Sequence, residues 1–452
     1  METETNREKL LNTGCGTLKG LTNECCDRYL GVPFAHAERF SYAVLTERWD
    51  GVLDATKPGP ACPQNRAVHE HFEHPTRLFY HREFREGQTF EYGEDCLNLN
   101  IFVPKNAKNA PVIVFFFGGG FDSGINWESP FDGSALAKRG VIAILANYRV
   151  GILGYLTHEE LKTRYGREGN FGLDDQLNAI RWVKAHIADF GGDPENITLM
   201  GQSAGAISIQ YLCLNPENKG LFQRAIMLSG AGQFPKFSLP KPAETAREYW
   251  KQFMEVGGFK TFDELKNAST DALFETVEKM KEVRKDAIYY TMPVIDGVLL
   301  PDAVDKLIKA PLALDYMIGY TNNDMYAPIM GYIGNRFGRR SGAYIYYFDL
   351  NAPGDDNRAF HSSDLRYVFG TLEKSWRPYG KRDHEASEQL VRYIANFAAT
   401  GNPNAEGLPL WKKAGGGMRT GVLHIAPDGT RMGHAHYGVM LKNMLTKGDP
   451  KA

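Results

Sequence analysis

Short, continuous runs of apolar residues recur along the chain, and most are separated by segments with helical periodicity. Apolar runs without alternation are typical of strands that are buried on both faces of a sheet. Helices between such strands indicate a mainly parallel central sheet with helices on both faces, an α/β architecture. The predicted strands are residues 112–116, 141–147, 197–200, 225–229, 316–320 and 344–348.

Three segments have the periodicity of helices. Residues 172–190 and 389–400 are amphipathic, whereas residues 261–285 carry more charge and are predicted to form a peripheral helical excursion near residues 240–290. No internal repeat, low-complexity tract or linker separates these elements. We therefore expect residues 1–452 to form a single domain. On the face of the first helix the apolar residues recur three or four positions apart: Leu173, Leu177, Ile180, Val183 and Ile187.

A pentapeptide with the pattern G-x-S-x-G, residues 201–205, lies between the predicted strand 197–200 and a helical run of small residues, 206–214. In this setting the pattern is that of a nucleophile elbow, a sharp turn that projects a serine from the end of a strand. The turn is so tight that the positions two before and two after the serine need to lack a Cβ. The sequence therefore predicts that Ser203 is a catalytic nucleophile.

A glycine-rich segment, Gly118-Gly119-Gly120-Phe121, directly follows the apolar run 112–117. Glycines at a strand end leave backbone N–H groups free and let a substrate approach the chain closely. Upstream of a nucleophile elbow, such a segment is typical of an oxyanion hole. We expect the donors to be the N–H groups of Gly119, Gly120 and Ala204.

Several longer segments resemble the type-B carboxylesterase/cholinesterase family, which belongs to the α/β-hydrolase superfamily. The similarity extends over roughly residues 14–412 and indicates a compact, bacterial-like member. The resemblance implies an α/β-hydrolase fold and hydrolysis of carboxylic esters. It lies in residues 94–101 (EDCLNLNI), 118–121 (GGGF), 147–151 (NYRVG), 169–176, 190–194 (FGGDP) and 397–404 (FAATGNPN).

The resemblance also implies the partners of the serine. His361, in the segment FHSSDL followed by YVFG, matches the catalytic histidine of the family. The family's acid lies five residues after a glycine that ends a strand, and five residues after Gly319 comes Asp324. An aspartate is sufficient to orient an imidazole. Alternative bases are His384, His434 and His436, and alternative acids are Asp296 and Asp302.

Other positions are assigned through the same resemblance. Gln202 stands where a glutamate is common, which removes a negative charge beside the nucleophile, and Ser229 matches a hydroxyl that supports the acid. Phe117 replaces the usual His or Tyr before the glycines. The family implies two structural ion pairs, Arg39–Glu94 and Arg149–Asp175, and a disulfide between Cys62 and Cys96, which would be neighbouring thiols in a reducing compartment.

Composition limits the environment and the partners. The net charge is −2, so no broad basic field indicates a nucleic-acid partner. Apolar runs such as 112–117 and 141–146 are much shorter than the roughly 20 residues that span a bilayer, so we expect no membrane association. Residues 1–11 are polar, which favours the cytoplasm, with secretion after loss of a leader as the alternative. The oligomeric state is not indicated.

A cluster of histidines, His69, His71, His74 and His81, alternates with glutamates. Zinc sites use such ligands, but the cluster has neither a H-E-x-x-H helix nor a pair of cysteines. We interpret it as a polar loop and expect no metal and no cofactor. Phe234, Phe237, Trp127 and Tyr326 are candidates for lining the substrate pocket.

The complete set predicts a serine carboxylesterase that hydrolyses small-molecule esters through an acyl-enzyme. Two alternatives are kept. Another acyl hydrolase, a thioesterase or amidase, would use the same machinery, whereas a non-catalytic, cholinesterase-like binding protein would be expected to lack the nucleophile.

Overall fold

The strands form two sheets in the computed structural model, which describes residues 6–65, 75–232, 239–324, 342–414 and 421–434. The described strands are β1 (Arg7–Thr13), β2 (Gly16–Thr22), β3 (Cys26–Pro33), β4 (Ala35–His36), β5 (Val44–Leu45), β6 (Val52–Asp54), β7 (Asn98–Pro104), β8 (Ala110–Phe116), β9 (Ile142–Ala146), β10 (Gly192–Gln202), β11 (Arg224–Leu228), β12 (Asp315–Thr321), β13 (Tyr344–Phe348), β14 (Gly421–Ala426) and β15 (Gly429–His434).

The larger sheet contains 13 strands and is parallel in its centre. Its order is β1-β2-β3-β7-β9-β8-β10-β11-β12-β13-β14-β15, with β6 beside β2, and β4 and β5 form a separate pair. Every neighbouring pair from β9 to β14 is parallel. Antiparallel strands extend both sides, with β1, β2, β3 and β7 on one and β15 on the other. The expectation of a mainly parallel sheet is confirmed for the centre.

Helices connect the central strands and cover the sheet. The described α-helices are α1 (Pro75–Phe84), α2 (Ser134–Ala137), α3 (Gly151–Tyr155), α4 (Glu159–Tyr165), α5 (Phe171–His186), α6 (Ala204–Leu214), α7 (Ala243–Gly257), α8 (Phe262–Asn267), α9 (Thr270–Val283), α10 (Val304–Leu307), α11 (Leu365–Val368) and α12 (Lys381–Thr400); single 3₁₀ turns are Ile187–Phe190, Pro216–Asn218, Ala287–Tyr289 and Leu372–Lys374.

The core consists of the continuous apolar strands and the helix faces against them. All residues of β9 and β13 are buried, which is the reason that no alternation of polar and apolar residues marks these two strands. Every residue of α6 is buried as well, so this helix passes through the core behind the elbow. The predicted excursion near residues 240–290 is helical, and it comprises α7, α8 and α9.

Two buried or half-buried ion pairs link distant segments of the chain, as predicted. Arg149 contacts Asp175 through two hydrogen bonds of 2.7 and 2.8 Å, and both side chains are almost fully buried. Arg39 Nε lies 3.0 Å from a carboxylate oxygen of Glu94. A buried arginine that shares two hydrogen bonds with a carboxylate fixes both position and orientation. The Arg149–Asp175 pair thereby anchors the segment before α3 to α5.

The six cysteines are all free thiols, and all lie in described parts of the chain. Cys62 and Cys96 are neighbours, and the hydrogen bond with Cys62 and burial raise the pKa of the Cys96 thiol well above its ordinary value. This arrangement corresponds to the reduced alternative for the pair. None of the helices in the described ranges has the length and apolarity needed to cross a bilayer.

Candidate active site

Ser203 occupies a strained turn between β10 and α6. Its φ is 53° and its ψ is −121°, a conformation that non-glycine residues rarely adopt. The turn is held from both sides, because Ser203 N–H donates to the carbonyl of Leu228 at 2.8 Å and Ile207 N–H donates to the carbonyl of Ser203 at 2.9 Å. The side chain therefore projects from the carboxyl end of a central strand.

The two glycines of the elbow are required by space. A Cβ on Gly205 would lie 2.1 Å from the carbonyl oxygen of Phe116, at the end of the neighbouring strand β8. A Cβ on Gly201 would lie 2.7 Å from the carbonyl carbon of Gly205. Both distances are shorter than any real carbon contact, so the close approach of α6 to the sheet requires glycine at each position.

The glycine-rich segment lies beside the elbow. A Cβ on Gly118 would be 2.8 Å from the Cβ of Ser203, so the segment and the nucleophile are in direct contact. Gly119 and Gly120 have φ of 124° and 65°, which turn their amides away from a regular strand. Within the described residues no acceptor is paired with the N–H groups of Gly119, Gly120 or Ala204. These three amides have the free donors that an oxyanion hole needs.

Tyr148 supports this loop from behind. Its hydroxyl donates to the carbonyl of Phe117 at 2.7 Å, and its ring stacks on the Phe117 ring at 4.3 Å between centroids. Phe117 itself is nearly fully buried and has no polar side-chain group, unlike the His or Tyr that the family has at this position. The polar contact behind the glycine loop comes instead from the hydroxyl of Tyr148.

His361 and Asp324 form a hydrogen-bonded pair beside the elbow. His361 Nδ1 lies 2.7 Å from Asp324 Oδ2, and Asp324 is only 1% exposed. Their loops are joined through the backbone, because Asn323 forms a bridge with Phe360 and its N–H donates to the carbonyl of Ala359 at 2.8 Å. The residues that directly precede the acid and the imidazole are thus paired, which sets the distance between the two side chains.

The electrostatic environment of His361 favours its protonated form. Burial would lower the pKa of the imidazole, but the charge and the hydrogen bond of Asp324, together with the charge of Asp364, raise that pKa above its ordinary value. An imidazole with a neighbouring carboxylate is a stronger base and stabilises the proton that it accepts. The pair therefore has the chemistry of a general base with an orienting acid.

Gln202 contacts the other nitrogen of the same imidazole. Its Nε2 lies 3.2 Å from His361 Nε2, while its Oε1 is close to Gly118, where a Cβ would be 2.4 Å away. When Nδ1 carries the proton that binds Asp324, the lone pair on Nε2 accepts a hydrogen bond. The carboxamide of Gln202 is thus a neutral partner for the atom that would take the serine proton.

A cavity of about 230 Å³ joins these groups. Ser203, His361, Gln202 and the three glycines line it together. Its remaining wall contains three aromatic residues, Tyr80 and Phe84 of α1 and Phe131, together with Ser123, Gly124, Glu128 and Ser362. An apolar wall beside a few polar groups is typical of a site for a small organic substrate.

One charged wall residue of the cavity is neutralised within the protein. Glu128 accepts a hydrogen bond from Arg85 Nε at 2.7 Å, and the side chains of both residues are less than a tenth exposed. Arg85 also donates to Gln64 at 3.0 Å, and Gln64 accepts from Gly124 N–H at 3.1 Å. Because the carboxylate is paired with a guanidinium, the cavity is not predicted to prefer cationic substrates.

The remaining sequence-predicted residues lie in different places. Ser229 has a φ of 52° and a buried hydroxyl with no hydrogen-bond partner in the described ranges. Asp296 accepts from two backbone amides of its own turn, and Asp302 binds Ala303 N–H and Lys306, so neither contacts His361. His384 contacts Glu373 at the surface. Trp127 packs against Phe90.

Several predictions fall on parts of the chain outside the described residues. These residues are His69, His71 and His74 of the histidine cluster, the pocket candidates Phe234, Phe237 and Tyr326, and His436; the side chain of His434 is also outside the description. Among the described residues no group of three or more metal-ligating side chains could hold an ion.

Four residues of the site were missed in the sequence. Tyr80, Phe84 and Phe131 line the cavity, and Asp364 is buried three residues after His361. The helix α1 has no apolar stripe, since its one buried side chain is that of Glu83. Hydrophobic periodicity therefore could not predict the aromatic wall. The position of Asp364, three residues after His361, is the one feature of the sequence that could have indicated a second carboxylate at the site.

A comparison with protein families gives a match over almost all of the chain. The model of a family described as the carboxylesterase family matches residues 7–337 and 325–440, which is nearly the whole chain. The para-nitrobenzyl esterase of Bacillus subtilis (strain 168) is 30% identical over 88% of this chain and 91% of its own. The bile salt-activated lipase of Mus musculus is 36% identical over 86% of this chain and 77% of its own.

Solved structures are similar over the same extent. A structure titled PNB esterase superposes with a TM-score of 0.82 at 26% identity, covering 96% of this chain and 99% of that one. A thermophilic PNB esterase gives the same TM-score and coverage. The expected fold class is confirmed by these neighbours.

Proposed function

The chain belongs to the carboxylesterase family and hydrolyses carboxylic esters as a serine hydrolase, and we propose that Ser203, His361 and Asp324 are its catalytic triad. The observation that carries the assignment is the 2.7 Å contact between His361 and Asp324 beside a cavity that Ser203 also lines. A nucleophile, a base and an orienting acid in this order along the chain are the arrangement of α/β-hydrolases.

In the acylation step, the oxygen of Ser203 attacks the ester carbonyl while its proton moves to Nε2 of His361. Asp324 holds Nδ1–H, which keeps the lone pair on Nε2 and stabilises the imidazolium that forms. The tetrahedral oxyanion accepts hydrogen bonds from the amides of Gly119, Gly120 and Ala204. His361 then gives its proton to the leaving alcohol, and an acyl-enzyme remains.

In the deacylation step, a water molecule takes the place of the alcohol. Its proton moves to Nε2 of His361, and its oxygen attacks the acyl carbonyl in the same oxyanion hole. Collapse of the second tetrahedral intermediate breaks the bond to Ser203 and returns the proton from His361 to the serine oxygen. The carboxylic acid leaves, and the enzyme is regenerated.

Two polar neighbours have supporting roles in this proposal. Gln202 positions the resting imidazole of His361 by donating to Nε2, and this hydrogen bond breaks when the Ser203 hydroxyl takes its place at the same lone pair. Ser229 stands next to Gly230, where a Cβ would lie 2.4 Å from the carbonyl oxygen of Ser203. Ser229 thus lies next to the contact between Gly230 and the elbow, and in the proposal its buried hydroxyl, which has no hydrogen-bond partner among the described residues, is free to bind the acid during the reaction.

Substitution of Ser203 by alanine tests the proposal. Esterase activity on p-nitrophenyl acetate should fall to the low rate that substrate binding and the oxyanion hole alone support, while the far-UV circular dichroism spectrum stays unchanged. Ser41→Ala is the control, because the Ser41 hydroxyl only donates to the carbonyl of Glu38 at the surface, at 2.7 Å. An organophosphate should label Ser203 alone, with one equivalent per chain. Labelling of another residue, or an active Ser203→Ala variant, contradicts the triad.

The partners in this proposal are small, uncharged esters rather than nucleic acids or membranes. The net charge of −2 and the neutral Gln202 support this choice.

We further propose one α/β-hydrolase domain over residues 1–452 and a reducing, cytoplasmic location. The location is supported by six free thiols. Titration of the cellular protein with a thiol reagent tests the location: protection of Cys62 and Cys96 as a disulfide contradicts it.

A further inference from the structure

Asp364 is a second buried carboxylate near the proposed base. It follows His361 by three residues and is 0% exposed. Its Oδ2 accepts a hydrogen bond from the hydroxyl of Tyr346 at 2.6 Å, whereas its Oδ1 has no hydrogen-bond partner among the described residues. Tyr346 reaches this position over Gly319 of β12, where a Cβ would lie 2.1 Å from the tyrosine ring.

Among the described residues, neither a helix cap nor an ion pair with a lysine or arginine explains the burial of Asp364. It precedes α11 at the N-cap position, but its side chain makes no capping hydrogen bond. No lysine or arginine in the described ranges forms an ion pair with it. Burying a carboxylate without a counterion is costly. The group that can become a cation is His361, which is joined to Asp364 by two consecutive turns: Ser363 N–H donates to the carbonyl of Phe360 at 2.9 Å, and Leu365 N–H donates to that of Ser362 at 3.1 Å. In agreement with this short connection, the charge of Asp364 helps to raise the pKa of His361.

We propose that Asp364 is a positioning residue of the hydrolytic reaction: its buried carboxylate, oriented by Tyr346, adds to that of Asp324 in stabilising the imidazolium of His361. The proposal rests on the proposed role of His361 as the general base. In the proposal, the negative charge of Asp364 acts when the serine proton has moved to Nε2 and the imidazole is positively charged. No covalent bond forms or breaks at Asp364, and its own protons do not take part in the transfer.

The charge state of Asp364 is suited to this role above mildly acidic pH. Burial raises the pKa of Asp364 to about 6, against the opposing effects of the Tyr346 hydroxyl and of His361. The carboxyl group is therefore mostly ionised at pH 7 and above, where the esterase would work. In acid it takes up a proton and its effect on His361 disappears.

The groups that face the two residues are few. His361 faces Asp324 at Nδ1 and Gln202 at Nε2, with Asp364 acting through its charge. Asp364 faces Tyr346 from β13, and the charges of His361 and Asp324 act on it. Across the cavity stands Glu128, which is paired with Arg85. The pKa of the imidazole is thus lowered by burial and raised by the carboxylates of Asp324 and Asp364.

The test is the pH profile of kcat/KM for Asp364→Asn, with p-nitrophenyl acetate as the substrate. Removing a nearby negative charge lowers the pKa of an imidazole, so the midpoint of the acid limb should move down by about 0.5 to 1 pH unit. The same loss weakens the imidazolium in the transition state, so the plateau at high pH should fall by about 3- to 10-fold. The two profiles should therefore merge at low pH and separate above the midpoint.

A second variant keeps the carboxylate and changes its partner. Tyr346→Phe removes the donor that favours the ionised form, so the pKa of Asp364 rises and the deficit should be confined to intermediate pH. In the Asp364→Asn background, Tyr346→Phe should have no further effect on the midpoint. Tyr367→Phe is the matched control, because the Tyr367 hydroxyl also donates to a carboxylate, that of Asp383, at 2.6 Å. It should leave the profile unchanged.

The outcomes separate this proposal from the proposed function. A defect of equal size at every pH in Asp364→Asn, or no defect, overturns the role of Asp364, because a merely structural contact does not move the midpoint. If the wild-type enzyme shows no acid limb, or if Ser203→Ala is active, the proposed triad itself fails.

Discussion

Replacing Asp324 by asparagine is the most direct test of the acid. The variant keeps the size of the side chain and removes the charge that lies 2.7 Å from Nδ1 of His361. An asparagine amide can also donate to Nδ1 and so favour the tautomer with its proton on Nε2, which cannot accept the serine proton. Both effects act on the same step, the transfer of the Ser203 proton.

The size of the loss follows from the geometry. Asp324 is 1% exposed and the imidazole of His361 is 24% exposed, so solvent screens this pair only in part. At a charge separation of about 4 Å and an effective dielectric constant of about 20, the attraction is about 4 kcal/mol. Since about 1.4 kcal/mol corresponds to a tenfold change in rate, we expect kcat to fall by about 10³-fold, and by at least about 10²-fold.

The assay is steady-state hydrolysis of p-nitrophenyl acetate above the acid limb, together with the rate of inactivation by an organophosphate, which reports the reactivity of Ser203 alone. Asp302→Asn is the control, since Asp302 is at the surface and binds Lys306. Asp324→Asn should be slow in both measurements, and Asp302→Asn in neither. If Asp324→Asn keeps a tenth or more of the activity, the assignment of the acid is wrong.

Three further predictions concern the same site. For the wild-type enzyme kcat/KM should rise with pH as His361 loses its proton, with a midpoint above the ordinary value of 6.5 because the pKa of His361 is raised; a rate that is flat between about pH 5 and 8 would argue against a histidine base. Gln202→Glu places a carboxylate at Nε2 and should move this midpoint up by about one unit, whereas the uncharged Gln202→Met should leave it in place; equal midpoints would remove Gln202 from the site. Gly205→Ala should destabilise the fold by about 3 kcal/mol in urea unfolding, because its Cβ would meet the Phe116 carbonyl, whereas Gly93→Ala, with its nearest neighbour at 3.5 Å, should cost much less.

The central strands were predictable because each is a continuous apolar run. Residues 344–348 were placed as they occur in β13, and residues 112–116 form most of β8. The strand β7 was missed, since Asn98 and Asn100 interrupt its apolar residues, although both side chains are buried. Asn98 is held by backbone carbonyls of Pro60 and Cys96, so tertiary hydrogen bonds allow a polar residue in a core strand.

The elbow could be located from local pattern, since strand, turn and helix are contiguous there. The pairing of His361 with Asp324 depends on the bridge between Asn323 and Phe360, which no local pattern contains, and only the resemblance to a family suggested it. Two of the aromatic residues in the cavity wall, Tyr80 and Phe84, lie in a helix that is anchored by a carboxylate: Glu83 binds Arg377 and Trp376. A helix that is held by a buried carboxylate has no periodic apolar face, so its sequence does not reveal which residues point into the cavity.

The parallel order of β10, β11, β12 and β13 has a consequence for the refolding of the chain. Ser203, Asp324 and His361 are distant in sequence and come together only when these strands have paired in register. Such non-local pairings close long loops and are slow to form compared with helices. Recovery of esterase activity after dilution from denaturant should therefore lag behind recovery of the helical circular dichroism signal. The esterase assay would then report when the central sheet has finished assembling.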